Sequence, residues 1–158
     1  NPKIAKGFEY IGSPYTEIKS FKNNIATTSG IGVEIIKSNP NQNHDQRNIL
    51  EDFLAWENSV GVAVQYSEKY DFNNMRIIGK REPQSFVDKG AGVVIGSQSD
   101  DTVLSNIILQ KLKYGVRIKF DNQKIQALML DVDFEDVDLE FANTDWKNPE
   151  LILDPNYH

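Results

Sequence analysis

The chain contains no cysteine among its 158 residues and only two histidines, His44 and His158. Without cysteine it can have no disulfide framework, no thiol nucleophile and no thiolate metal site. The two histidines lie far apart in the sequence, and a lone histidine in an asparagine-rich stretch is typically exposed and unreactive. No Gly-x-Ser-x-Gly elbow and no phosphate-binding glycine motif occurs. We therefore expect a protein that is not an enzyme, with no catalytic residues and no cofactor.

Long hydrophobic runs and an excess of positive charge are also missing. No apolar stretch approaches the length of a membrane-spanning helix, and no signal-peptide pattern appears, so no membrane partner is expected. The formal net charge is -6, which argues against tight nucleic-acid binding because such binding needs clustered Lys and Arg on the phosphates. With 39% hydrophobic residues, the chain is predicted to fold as one domain over residues 1–158.

The most informative segment that is present is an acidic run near the end of the sequence. It has no Lys or Arg, and its acids alternate with apolar residues, which is typical of a β-strand with one charged and one buried face. The alternation slips once, at Glu135-Asp136, which requires a β-bulge or a tight turn there. The acids of the run are Asp131, Asp133, Glu135, Asp136, Asp138 and Glu140.

Two ligand-binding alternatives for this run have little support. Asp131 and Asp133 could bind Ca²⁺ through their carboxylates, but an EF-hand loop needs a glycine at the position of Asp136. A carboxylate pair could also hydrolyse glycosidic bonds, although such pairs flank the scissile bond and the sequence indicates no cleft. We predict no metal site, and the simplest interpretation is a solvated strand face whose charge protects a sheet edge.

The rest of the chain predicts strands with one or two helices. Helices are expected over residues 45–58 and 102–112, where apolar residues recur at helical spacing. Strands are expected at residues 31–36, 62–66, 75–78 and 91–97, with a hairpin joining residues 116–120 to 125–134. No internal repeat is evident. The predicted fold is mainly β, a mostly antiparallel β-sandwich or barrel. Residues 1–28 form an N-terminal arm, 38–58 a loop-plus-helix insertion and 143–158 a C-terminal arm.

The order of elements over residues 60–142 resembles bacteriophage tail tube proteins. The resemblance lies in a strand at 62–68, a strand ending in Ile78-Gly79, a proline-containing loop, the glycine-rich strand 90–96 and the closing acidic strand. It implies a structural virion protein, made in the host cytoplasm, whose hexameric rings stack into a hollow tube. Its partners would be copies of itself, other tail proteins and DNA in transient passage. The six acids would line the lumen, and the ring-stacking loop would be Lys80, Arg81, Glu82, Pro83, Gln84 and Ser85.

Two other functions remain open. The chain could be a monomeric binding module for a sugar or another virion protein, including a tail or baseplate accessory. Its exposed aromatic residues would then matter: Tyr66, Tyr70, Trp146 and Tyr157. The other possibility is an enzyme, which the absence of histidine and cysteine chemistry disfavours.

Overall fold

The structure of this protein, a computed structural model, describes residues 5–12, 18–37, 47–79, 90–96, 99–118, 127–145 and 148–152. Within these ranges all regular structure is β. No helix occurs there, and hence none that is long and apolar enough to span a bilayer. The strands are β1 (Lys6–Gly12), β2 (Lys22–Thr27), β3 (Ile31–Lys37), β4 (Asn48–Asn58), β5 (Val60–Gln65), β6 (Glu68–Gly79), β7 (Ala91–Ile95), β8 (Asp100–Ile118), β9 (Ala127–Asp145) and β10 (Asn148–Ile152).

The strands form a β-solenoid of about four turns. Every pairing is parallel except that of β10 with β9. One set of stacked strands, the glycine stack, runs in the order β1, β3, β5, β7, the end of β8 and the end of β9. The second set, the corner stack, runs β2, β4, β6, the start of β8 and the start of β9. The chain alternates between the two stacks as it winds.

The predicted antiparallel sandwich or barrel with helices is therefore wrong. The expected hairpin is wrong as well, because β8 and β9 run parallel, with Ile107 opposite Val132 and Val116 opposite Phe141. Alternation of apolar and polar residues reports that a segment is a strand, but it is the same for parallel and antiparallel neighbours. The strands at 31–36, 75–78 and 91–95 were located correctly as β3, part of β6 and β7.

Both predicted helices are strands that turn a corner. In β4 the corner is Asp52, with φ 55°, and it inserts one residue between the inward-pointing Leu50 and Phe53. Buried positions are then three residues apart across the corner and two apart beyond it, as at Phe53 and Ala55. This mixture of spacings resembles the i, i+3 pattern of an amphipathic helix. The segment 102–112 shows the same spacing around its own corner at Asn106.

One column of corners, with one residue on each level of the corner stack, consists of Asn and Asp residues that lie above one another. Their φ angles are between 52° and 61°, in the left-handed region that these two residues tolerate better than other non-glycine residues. Because the same backbone corner recurs in each turn, the adjoining strands stay in register. The column consists of Asn23, Asp52, Asn74, Asn106 and Asp131.

A second column of stacked residues, in the glycine stack, consists of glycines. In β1, β3, β5 and β7 the glycine is the second residue of the strand. A Cβ added to any of them would lie 2.5 to 2.8 Å from the carbonyl oxygen of the residue stacked on it in the next turn, closer than a side chain can be accommodated. The prediction of no internal repeat is therefore wrong, since each turn contributes one glycine followed by an inward apolar residue. The column is Gly7, Gly32, Gly61, Gly92 and Gly115.

The interior of the solenoid is mainly apolar. Fully buried side chains such as Phe72, Leu104 and Leu109 fill it, and burial of a side chain of this size stabilises a fold by about 1.5–3 kcal/mol. A second buried cluster lies on the opposite side of the glycine stack and includes Val60, Ala91 and Val94. The glycine stack is thus buried on both of its sides, whereas the outer side of the corner stack carries exposed side chains.

One buried polar side chain joins the first two turns. Asn58 is 3% exposed, and its amide donates a hydrogen bond to the carbonyl of Ala26 at 3.0 Å. Its carbonyl accepts from the backbone amide of Ser29 at 2.9 Å and from the Ser29 hydroxyl at 2.7 Å. These bonds satisfy polar groups that would otherwise be buried without partners.

Candidate binding face and acidic last turn

The acidic run forms most of the last turn of the solenoid, within β9. All six acids are exposed, and the apolar residues between them, such as Val132 and Phe134, point inward. At Glu135-Asp136, where a β-bulge or a tight turn was expected, β9 turns a corner at Asp136, which has φ 58°. Asp131 is a second corner in the same run, with φ 61°. The acids therefore lie on more than one side of the last turn, outside a filled apolar interior.

A glutamine and two lysines of the preceding turn lie opposite acids of this run. Glu135 accepts a hydrogen bond from the amide of Gln110 in β8. In the register of β8 with β9, Lys111 lies opposite Asp136 and Lys113 opposite Asp138. Opposite charges on neighbouring strands stabilise a sheet by a few tenths of a kcal/mol to about 1 kcal/mol. This arrangement gives the acids a local structural role.

Glu140 marks the end of the glycine column. It is stacked on Gly115, in the one described turn where the column residue carries a side chain. At every glycine of the column a Cβ would meet the carbonyl oxygen of the next turn, so a further turn stacked in register on β9 would clash with the Cβ of Glu140. The antiparallel β10 also pairs with the end of β9. The last turn therefore terminates the parallel stacking.

Of the other residues singled out in the sequence, some lie outside the described residues and others are buried or partly exposed. The ring-stacking loop Lys80, Arg81, Glu82, Pro83, Gln84 and Ser85 lies outside the described residues, as do Trp146 and Tyr157. Tyr70 is only 2% exposed and belongs to the core. Tyr66 is partly exposed in a turn and has φ 50°.

The large apolar side chains that remain exposed all lie on the corner stack, on either side of the Asn/Asp column. After the corner come Ile25, 61% exposed, and Trp56, 45% exposed. Before the corner come Ile49, Leu128 and Leu130. Of these, Ile25 and Trp56 lie on neighbouring strands and on the same side of the corner, and adjacent exposed apolar groups of this kind indicate an interaction surface.

We call the surface after the corner the Trp56 face. Its outward side chains form two parallel columns that cross five levels of stacked strands. The first column is Ile25, Leu54, Arg76, Ile108 and Asp133. The second column is Thr27, Trp56, Ile78, Gln110 and Glu135.

Apolar and polar groups alternate along this face. Trp56 lies next to the partly buried residues Leu54 and Ile78, so its neighbours on this face are apolar. Beside it, the Arg76 Nε donates a hydrogen bond to the Gln110 Oε1 at 2.8 Å, and Gln110 donates in turn to Glu135. A guanidinium, an amide and a carboxylate thus form a chain of planar polar groups across three turns. The face combines an aromatic surface with ordered hydrogen-bond donors and acceptors.

The sequence interpretation missed Trp56 as a surface residue. Trp56 falls within the helix predicted over residues 45–58, among the apolar residues at helical spacing. The signal that could have corrected this is the alternation after Asp52, where Phe53 and Ala55 are buried while Leu54 and Trp56 point outward. A corner residue restarts the alternation, so each side of Asp52 has to be read separately.

The ionisable groups of the described residues include two cations with raised pKa values and no metal-binding cluster. Within those ranges, no three His, Asp or Glu side chains converge to hold a metal ion. Hydrogen bonds to Asp71 outweigh burial and raise the pKa of Arg47, which also contacts Asp101. Burial lowers the pKa of Lys6, but its contacts with Glu34 and Glu9 raise it overall. Neither cation lies on the Trp56 face, so both shifts reflect contacts that hold the turns together.

Comparisons of the chain with protein-family models, with curated proteins and with solved structures find no match. Functional inference therefore depends on the geometry of the surface itself.

Proposed function

We propose that this chain is a non-enzymatic binding module in which a rigid β-solenoid presents the Trp56 face to a partner. The observation that carries the proposal is that exposed Ile25 and Trp56 lie on the same face as the hydrogen-bonded chain Arg76–Gln110–Glu135. Residues such as Trp and Arg, both present on this face, supply much of the binding energy at protein surfaces. The parallel ladder beneath the face fixes the spacing of its side chains, which reduces the ordering that binding requires.

The β9 end of the solenoid is unsuited to stacking of a further turn, which favours a partner on the lateral surface. A further turn placed in register on β9 would meet the Cβ of Glu140, and the exposed acids there protect the edge by charge. Terminal turns that block further stacking are common in solenoid proteins. A partner bound on the lateral Trp56 face would not meet the Glu140 Cβ and would not have to pair with the acidic edge of β9.

The experiment is a selection of ligands on immobilised protein, using a glycan array and a displayed peptide library in parallel. Binding of the recovered ligands is then compared for Ile25→Ser and Ile49→Ser. Both isoleucines are exposed, at 61% and 51%, but only Ile25 lies on the Trp56 face. We expect Ile25→Ser to weaken binding about tenfold and Ile49→Ser to leave it nearly unchanged. Equal effects of the two variants would overturn the proposal.

The tail tube function remains a second proposal, together with virion localisation and hexameric rings. One observation favours it: the last turn carries six exposed acids, and a negative surface lets DNA pass without adhering. The antiparallel fold expected with it is wrong, so rings would have to form from the parallel strands of the solenoid. Electron microscopy of the purified chain over a concentration series tests it, since hollow rings or tubes are its expected result and single rods at all concentrations count against it.

A further inference from the structure

The dimensions of the Trp56 face limit what can occupy it. Neighbouring strands lie about 4.7–4.9 Å apart, so five levels extend roughly 20 Å along the solenoid axis. From one corner to the next, Asp52 to Glu57, the strand spans about 16 Å, which is about five steps of 3.3 Å each. The area of the face, its length times its width, is therefore on the order of 300–400 Å². This is about half of the roughly 800 Å² that each partner buries in a stable protein complex. A second folded copy is therefore a poor occupant, whereas a single extended chain fits the strip.

The chemistry of the face favours a sugar chain. One side of a hexose ring exposes C–H groups that pack on an aromatic ring, and its edge carries hydroxyls that donate and accept hydrogen bonds. Trp56 offers the aromatic surface, and the chain Arg76–Gln110–Glu135 offers planar donors and acceptors beside it. We propose that the Trp56 face binds a neutral polysaccharide whose chain runs along the solenoid axis. This inference rests on the proposed function and names the ligand class for the same face.

The spacing of the strands distinguishes a sugar chain from a peptide. Successive levels of the face are about 4.7–4.9 Å apart, close to the length of one hexose in an extended chain. An extended peptide places side chains on one side only every 6.6–6.8 Å or so. A peptide added as a further strand also needs free backbone groups, and those of the strands beneath this face are paired with neighbouring strands at its inner levels. The paired backbone beneath the face thus favours a ligand that is recognised through side chains over an added peptide strand.

Charge favours a neutral chain over an anionic one. Among the outward residues of the face, Arg76 is the cation, whereas Asp133 and Glu135 are acids. The chain as a whole has a formal net charge of -6. A polyanion would be repelled by this field, while a neutral chain would not.

Affinity gel electrophoresis of the whole chain tests the proposal. The native gels contain xyloglucan, galactomannan or dextran as neutral probes, alginate as an anionic probe, or no polymer. We expect at least one neutral polymer to retard the protein and alginate not to do so. Trp56→Ala should raise the dissociation constant about tenfold or more. Trp56→Phe, which keeps an aromatic ring, should have a smaller effect, and Ile49→Ser should match the wild type.

The outcomes separate this inference from the proposed function. Retardation by a neutral polymer that Trp56→Ala removes supports both. Peptide ligands that depend on Ile25, without retardation by any neutral polymer, would overturn the glycan inference and leave the binding function standing. Stronger retardation by alginate than by the neutral polymers would also overturn it, as would retardation that is equal in Trp56→Ala and the wild type. Circular dichroism of each variant verifies that it retains its β-structure.

Discussion

The glycine column provides the sharpest test of the fold, through the substitution Gly92→Ala. An added Cβ would lie 2.8 Å from the Gly115 carbonyl oxygen, 2.8 Å from the Leu109 Cδ2 and 2.9 Å from the Leu112 Cδ1. The two leucines are 0% and 1% exposed and have little room to move. The carbonyl oxygen belongs to the neighbouring strand, so relieving the contact requires the two turns to separate locally.

The expected loss of stability follows from two opposing terms. Overpacking of this kind typically costs about 1–3 kcal/mol, and the displaced backbone adds to it. Replacing glycine also reduces the entropy of the unfolded chain, which offsets about 0.4–1 kcal/mol. We expect a net destabilisation of about 1–3 kcal/mol. With a urea m-value of about 2 kcal/mol/M, the unfolding midpoint should fall by roughly 0.5–1.5 M.

The matched control is Glu140→Ala, which changes the residue of the same column in the last turn. No described strand follows β9 in parallel, so the Cβ at this position is already accommodated. The control should stay within about 0.5 kcal/mol of the wild type in the same urea titration. The stacking argument would be refuted if Gly92→Ala were as stable as the wild type, or if Glu140→Ala lost as much stability as Gly92→Ala.

Two further predictions concern polar residues of the turns. Asn58→Ala removes the bonds to Ser29 and Ala26 and leaves buried groups unpaired, so it should cost about 2–4 kcal/mol by urea unfolding. A loss below about 1 kcal/mol would show that water replaces these bonds. At the corner residue Asn74, with φ 53°, substitution by Ala should cost about 1–2 kcal/mol, while Gly should stay within about 0.5 kcal/mol of the wild type. Equal thermal stability of these two variants would contradict the left-handed corner.

Side-chain patterning predicted many of the strands but not how they pair. The alternation in β9 and its slip at Asp136 could be read from the sequence, because a strand with one wet face has period two and a corner shifts the phase. The helices expected over 45–58 and 102–112 could not be rejected in the same way. A left-handed residue between two inward positions produces the spacing of three that a helix also produces.

The candidate site was even harder to predict from the sequence than the fold. The acids were correctly expected to be exposed, but their distribution around several sides of the last turn depends on the corners at Asp131 and Asp136. The polar chain on the Trp56 face joins Arg76, Gln110 and Glu135, which lie on three separate strands. Only the parallel register places these residues side by side.

The sequence by itself determined that this chain is rich in strands, that its acidic run has one wet and one apolar side, and that cysteine chemistry is absent. Each of these follows from the identity of residues or from spacing within one segment. The tertiary structure decided that the strands stack in parallel as a solenoid, that Glu140 ends the glycine column, and that Trp56 faces outward. These depend on contacts between segments far apart in the chain, and period-two alternation is the same whichever neighbour a strand acquires.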